Sequence, residues 1–162
     1  MPHHDSIRSK NQRAQTEFVQ QSRLNACAVL LHLSKHCPVS ATLANCHDLL
    51  DSLVVNIVSR IPETPASLPA KCLEILANLT RFPHNGTALS HYAGVVDALL
   101  LAAASERVEL RVLALRALQN LAADANSKTL LANYLNIRDI LGYDKVILPG
   151  KALDVSSGYV GK

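Results

Sequence analysis

The side chains best suited to chemistry crowd into one stretch of the chain: Cys27, His32, His36, Cys37, Cys46 and His47. Thiolates and imidazoles are the donors of a structural zinc site, which pairs them across roughly two to five intervening residues. Here successive cysteines stand nine or ten residues apart, and only His32 and His36 lie one helical turn from each other. That spacing predicts no metal site. In a chain expected to be intracellular the thiols, Cys72 included, are expected to be reduced, and a buried one to act as a small hydrophobe. No Gly-rich phosphate loop, Gly-x-Ser-x-Gly elbow or His-Glu-x-x-His pair is present, so neither catalysis nor a cofactor is expected. One acidic position does recur, as Asp51, Asp97 and Asp139, at intervals of 46 and 42 residues. Carboxylates a whole repeat apart cannot share a proton, so this aspartate reads as a helix-surface residue. Asn78-Leu79-Thr80 and Asn85-Gly86-Thr87 fit the glycosylation pattern, but the first falls inside a helical pattern, and both are incidental in an intracellular chain.

The elements that must carry these residues are written in the same two intervals. Leu49-Leu50-Asp51-Ser52-Leu53, Val95-Val96-Asp97-Ala98-Leu99 and Ile137-Arg138-Asp139-Ile140-Leu141 superpose at offsets of 46 and 42 residues. The same offsets align Leu30, Leu76 and Leu118, then Leu33, Leu79 and Leu121, then Leu43, Leu89 and Leu131. Apolar residues at helical spacing predict helices over about 24–36, 40–46 and 48–61, then 70–82, 87–92 and 95–104, then 106–123, 128–134 and 137–141. Pro38 breaks the first helix. Pro83-His84-Asn85-Gly86 reads as a turn, and Gly94 as the pivot of another. Each unit is thus a short helix, a longer one and the longest. Leu76, Leu79, Leu118 and Leu121 are the predicted core.

Composition agrees. Apolar residues make up 49% of the 162-residue chain and aromatics only 4%, which suits close-packed helices rather than a sandwich of β-branched and aromatic strands. The net charge of +3 lies outside the repeats, since residues 24–143 hold nine basic and nine acidic side chains. A neutral body argues against phosphate-backbone binding, whose affinity comes from clustered cations. No apolar leader opens the chain, and its longest apolar run, at 98–104, is seven residues, too short to span a bilayer. The expectation is an intracellular protein, cytoplasmic or nuclear. Three regions follow: a polar and partly disordered segment at 1–22, a repeat domain at 23–142, and an irregular tail at 143–162.

A helical repeat of roughly 40–47 residues marks armadillo and HEAT solenoids. The three-helix order, with the phrases Leu76-Ala77-Asn78-Leu79-Thr80 and Leu118-Gln119-Asn120-Leu121-Ala122, resembles the armadillo repeat over residues 24–142. The resemblance implies an all-α, right-handed superhelix of about two and a half three-helix units, reading as a piece of a longer solenoid. It also implies a site. In armadillo proteins of the importin and catenin type, an asparagine on the third helix lines a concave groove and hydrogen-bonds an extended peptide. Asn78 and Asn120 match that asparagine, His32 takes its place in the first unit, and Glu74 and Arg116 lie one turn earlier. The alternative is that the amides bridge neighbouring units and touch no ligand. No tryptophan is present, which departs from the nuclear-import receptors. The implied function is a non-catalytic protein-interaction or scaffold module of a larger assembly, its partner held in the groove or at an exposed end. A structural spacer, or a nucleic-acid subunit using the basic head, are the alternatives.

Overall fold

A computed structural model describes the backbone of residues 3–59 and 67–141, with side chains from 12 to 135 within those limits. Among the described residues there are eight helices and no strand: α1 (His3–Leu33), α2 (Cys37–Ala44), α3 (His47–Val58), α4 (Ser67–Thr80), α5 (Pro83–His91), α6 (Ala93–Ala103), α7 (Val108–Ala123) and α8 (Ala125–Leu141). The expected all-helical architecture is therefore present. Helices at equivalent places in the repeat lie against each other. α1 packs on α4 and α4 on α7; α3 packs on α6; α2 packs on α5 and α5 on α8. α3 and α6 also cover the long helix that follows each of them, α4 and α7.

The core runs along α4. Ten of its 14 residues are buried, because it has a neighbour on each side and α3 across it. Only Lys71, Glu74 and Asn78 form a polar stripe on it, and the wide apolar remainder belongs in an interior. Leu76, Leu79 and Leu121 are fully buried, as expected, while Leu118 is only half-buried against the cluster. Leu118 belongs to α7, and among the described residues no further copy of the long repeat helix packs on α7 as α7 packs on α4.

Several boundaries differ from those read off the sequence. α1 begins at His3 rather than near residue 24, so the segment expected to be partly disordered is helical from there on. Its Gln, Arg, Glu and Lys side chains are good helix formers, and Thr16 and Ser22 donate back to the carbonyls of Gln12 and Phe18. Packing against the rest starts at Leu24, close to the expected domain limit. Pro83-His84-Asn85-Gly86 is the first turn of α5, not a loop. Proline is tolerated at that point because its missing N–H would have no partner there anyway. Gly94 is not the pivot either. It lies inside α6, and the chain turns at Tyr92, whose φ of −88° and ψ of 90° any residue can adopt. The two helices expected over 128–141 are one continuous α8. α3 and α6 each pack on the long helix that follows them, and among the described residues no helix follows α8. The tail at 143–162 and the loop at 60–66 lie outside the described residues.

Among the described residues no single helix is long and apolar enough to cross a membrane. α5 and α6 reach that length only together, and they meet at 95°.

Candidate interaction surface

The two matched asparagines do the same thing at successive interfaces. From α4, the Asn78 Nδ2 donates to Ser34 Oγ at 3.1 Å, and Ser34 Oγ donates to the Leu31 carbonyl at 2.8 Å. From α7, the Asn120 Nδ2 donates to Thr80 Oγ1 and to the Ala77 carbonyl, each at 3.2 Å, and Thr80 Oγ1 reaches the same carbonyl at 3.1 Å. Ser34 and Thr80 are 46 residues apart, as are Leu31 and Ala77, so the relay repeats with the fold. Its physical basis is the end of a helix, where the last four carbonyls lack intrahelical donors. Ala77 is one of these in α4. Leu79, another, accepts from the Asn85 Nδ2 of α5 at 3.0 Å. Side-chain amides thus add donors to the buried groups at this helix end.

The other site candidates are more exposed. His32 points into solvent at the end of α1, its ring edge-on to His36 at 5.2 Å between centroids. Glu74 is half-buried on α4 and Arg116 exposed on α7. A cleft beside the second amide is lined by Thr80, Arg81, Pro83, Asn120, Ala123 and Asp124. Asp124 belongs to the start of α8, where its Oδ2 accepts from the Ser127 N–H and Oγ, each at 2.9 Å. These bonds hold its carboxyl below the usual carboxylate range. Among the described residues no group of three or more His, Cys, Asp or Glu could hold a metal ion.

The recurrent aspartate is not a plain surface residue. Asp51 on α3 accepts a hydrogen bond from the Tyr92 hydroxyl at the α5–α6 junction. Partial burial, and then that bond and the charges of Asp51 and Asp48, push the Tyr92 hydroxyl up to about 12. Asp97, its counterpart on α6, is 1% exposed. A signal was present in the sequence, since Tyr92 and Tyr134 recur at the 42-residue interval.

Large apolar side chains are exposed on two of the long helices, Phe18, Val19 and Val29 on α1 and Val108, Val112 and Leu115 on α7. Val108, Val112 and Leu115 are 60%, 56% and 52% exposed, and their spacing places them on one face, continued by Gln119 and Ala122. By the repeat offset, Leu115, Gln119 and Ala122 correspond to Leu73, Ala77 and Thr80 of α4. Those three are buried, and two of them meet Asn120. The exposed face of α7 is therefore the counterpart of the face that α4 buries. Sequence periodicity marks Leu73 and Leu115 alike and carried no sign of which copy stays open. Compared with protein-family models, curated proteins and solved structures, the chain matches none.

Proposed function

We propose that this chain is an armadillo-like, non-catalytic protein-interaction module of an intracellular assembly, and that its working surface is the open face of α7. The observation that carries the reading is the Val108, Val112 and Leu115 stripe, apolar and exposed on a helix whose counterpart α4 buries the corresponding face. A row of apolar side chains at helical spacing suits a partner helix laid along it. The groove reading is weaker, because the Asn78 and Asn120 amides already donate to the neighbouring layer. The same use of the amides favours a partner continuing the stack over an extended peptide.

Capture of partners from cell extract by the intact chain tests this when two surface variants are compared. Val112→Glu with Leu115→Glu should abolish capture, whereas Glu74→Lys with Arg116→Glu should leave it intact. Loss in the second variant and retention in the first would return the site to the groove. A steep decline of binding with salt would instead implicate phosphates and the basic head.

A further inference from the structure

We infer that Cys27 and Cys72 are a dithiol modification site, oxidised by hydroperoxide to a disulfide that staples α1 to α4. The two sulfurs are 3.9 Å apart although 45 residues separate them in the chain. Both are free thiols, at the interface between two long helices that otherwise rests on apolar contact and the Asn78 relay. A disulfide needs sulfurs about 2.0 Å apart, so closing the gap moves each sulfur by only about 1 Å.

Packing does not require thiols here. By the repeat offset Cys27 corresponds to Leu73, and Cys72 corresponds to Ala114. The next interface, α4 on α7, therefore has a leucine and an alanine at these places, both fully buried. An ordinary apolar pair does the packing there, and the first interface carries two sulfurs instead.

The roles divide by environment. Cys27 is 7% exposed and Cys72 0%, so a small oxidant meets Cys27 first. The hydrogen bond from the Cys72 thiol favours thiolate at Cys27. With the nearby charge of Lys71 it outweighs burial and brings that thiol down to about 7, while the same bond and burial push the Cys72 thiol up. A thiolate with a pKa near ambient pH is well placed to attack. In the first step the Cys27 sulfur attacks one peroxide oxygen. The S–O bond forms, the O–O bond breaks, and the departing hydroxide takes a proton to become water. The product is a sulfenic acid at Cys27. The Cys72 sulfur then attacks the Cys27 sulfur; the S–S bond forms, the S–O bond breaks, and hydroxide leaves with the Cys72 proton as water. Two thiols lose two electrons and one peroxide becomes two waters. Cys37 and Cys46 are exposed and are the natural controls.

The full chain and a Cys37→Ser/Cys46→Ser variant are treated with hydrogen peroxide, alkylated in denaturant and peptide-mapped without reduction. The expected result is a linked pair of peptides holding Cys27 and Cys72, lighter by two hydrogens. Closing so long a loop should raise Tm on the order of 10 °C, reversibly with dithiothreitol and not in Cys27→Ser. Alkylation of both residues, arrest of Cys27 at sulfinic acid, or a bridge through Cys37 or Cys46 in the full chain would overturn the assignment. So would a Tm rise that survives Cys27→Ser. The map of the parent chain answers the question even if the double variant fails to fold.

Discussion

Removing the Asn120 amide should destabilise the fold without any ligand present. Its Nδ2 makes two bonds of 3.2 Å across the α4–α7 interface, to the Ala77 carbonyl and to Thr80 Oγ1. A hydrogen bond contributes a net ~0.5–1.5 kcal/mol, and leaving a buried partner unsatisfied costs more. Here neither partner is orphaned by Asn120→Ala, because Thr80 Oγ1 still reaches the Ala77 carbonyl at 3.1 Å. The expected loss is therefore about 1–2 kcal/mol, or a fall in Tm of roughly 2–8 °C for a chain of this size. Asn78→Ala, which loses one bond to Ser34, should cost about half as much. Urea unfolding followed by far-UV circular dichroism measures both. A cycle with Thr80→Val isolates the pair, and its coupling should be at least about 0.5 kcal/mol. Should Asn120→Ala unfold at the parental urea concentration, with no coupling to Thr80, the amides do not hold the layers together. Their role would then have to be sought in a groove ligand.

Three further outcomes are expected. Leu79→Ala, in the fully buried centre of α4, should cost about 2–5 kcal/mol; Leu118→Ala, half-buried on α7, should cost clearly less, and equal costs in urea unfolding would contradict the open face of α7. Gly86→Ala would drive a Cβ into Ser127 Oγ, which itself bonds Asp124 at the start of α8. Overpacking of about 1–3 kcal/mol should follow, visible as a lower Tm, and a variant as stable as the parent would mean α5 and α8 are not so close. The Tyr92 hydroxyl, raised from 10.0 to about 12, favours the neutral form in the fold. Its contribution to stability is complete below pH 10 and is lost as pH rises through 12. Ultraviolet titration should lose its latest tyrosinate step in Tyr92→Phe, and loss of an ordinary step instead would refute the Asp51 contact.

Local pattern was enough for the helices and most of the core. Leucine at helical spacing can satisfy only a helix with one buried stripe, so Leu76, Leu79 and Leu121 announce themselves and recur with the repeat. The 46- and 42-residue offsets likewise carried the pairing of equivalent helices, since identical faces bury each other in the same way. Tertiary structure decided whatever depends on a neighbour. Leu118 matches Leu76 in sequence but is half-exposed, because full burial requires a following layer and none is present among the described residues. Residues 83–86 carry loop composition, yet they form a helical turn because Asn85 finds the Leu79 carbonyl and Gly86 lets Ser127 approach. Asp51 and Tyr92 recur with the repeat but nothing in sequence pairs them, and Cys27 and Cys72 show no relation beyond a spacing near the repeat length. An amide offers a donor to whichever acceptor is nearest, whether a peptide or a helix end. The type and position of Asn78 and Asn120 were legible, but their acceptors are carbonyl and hydroxyl groups at the end of the preceding long helix, which only the stacking of the layers brings within 3.2 Å.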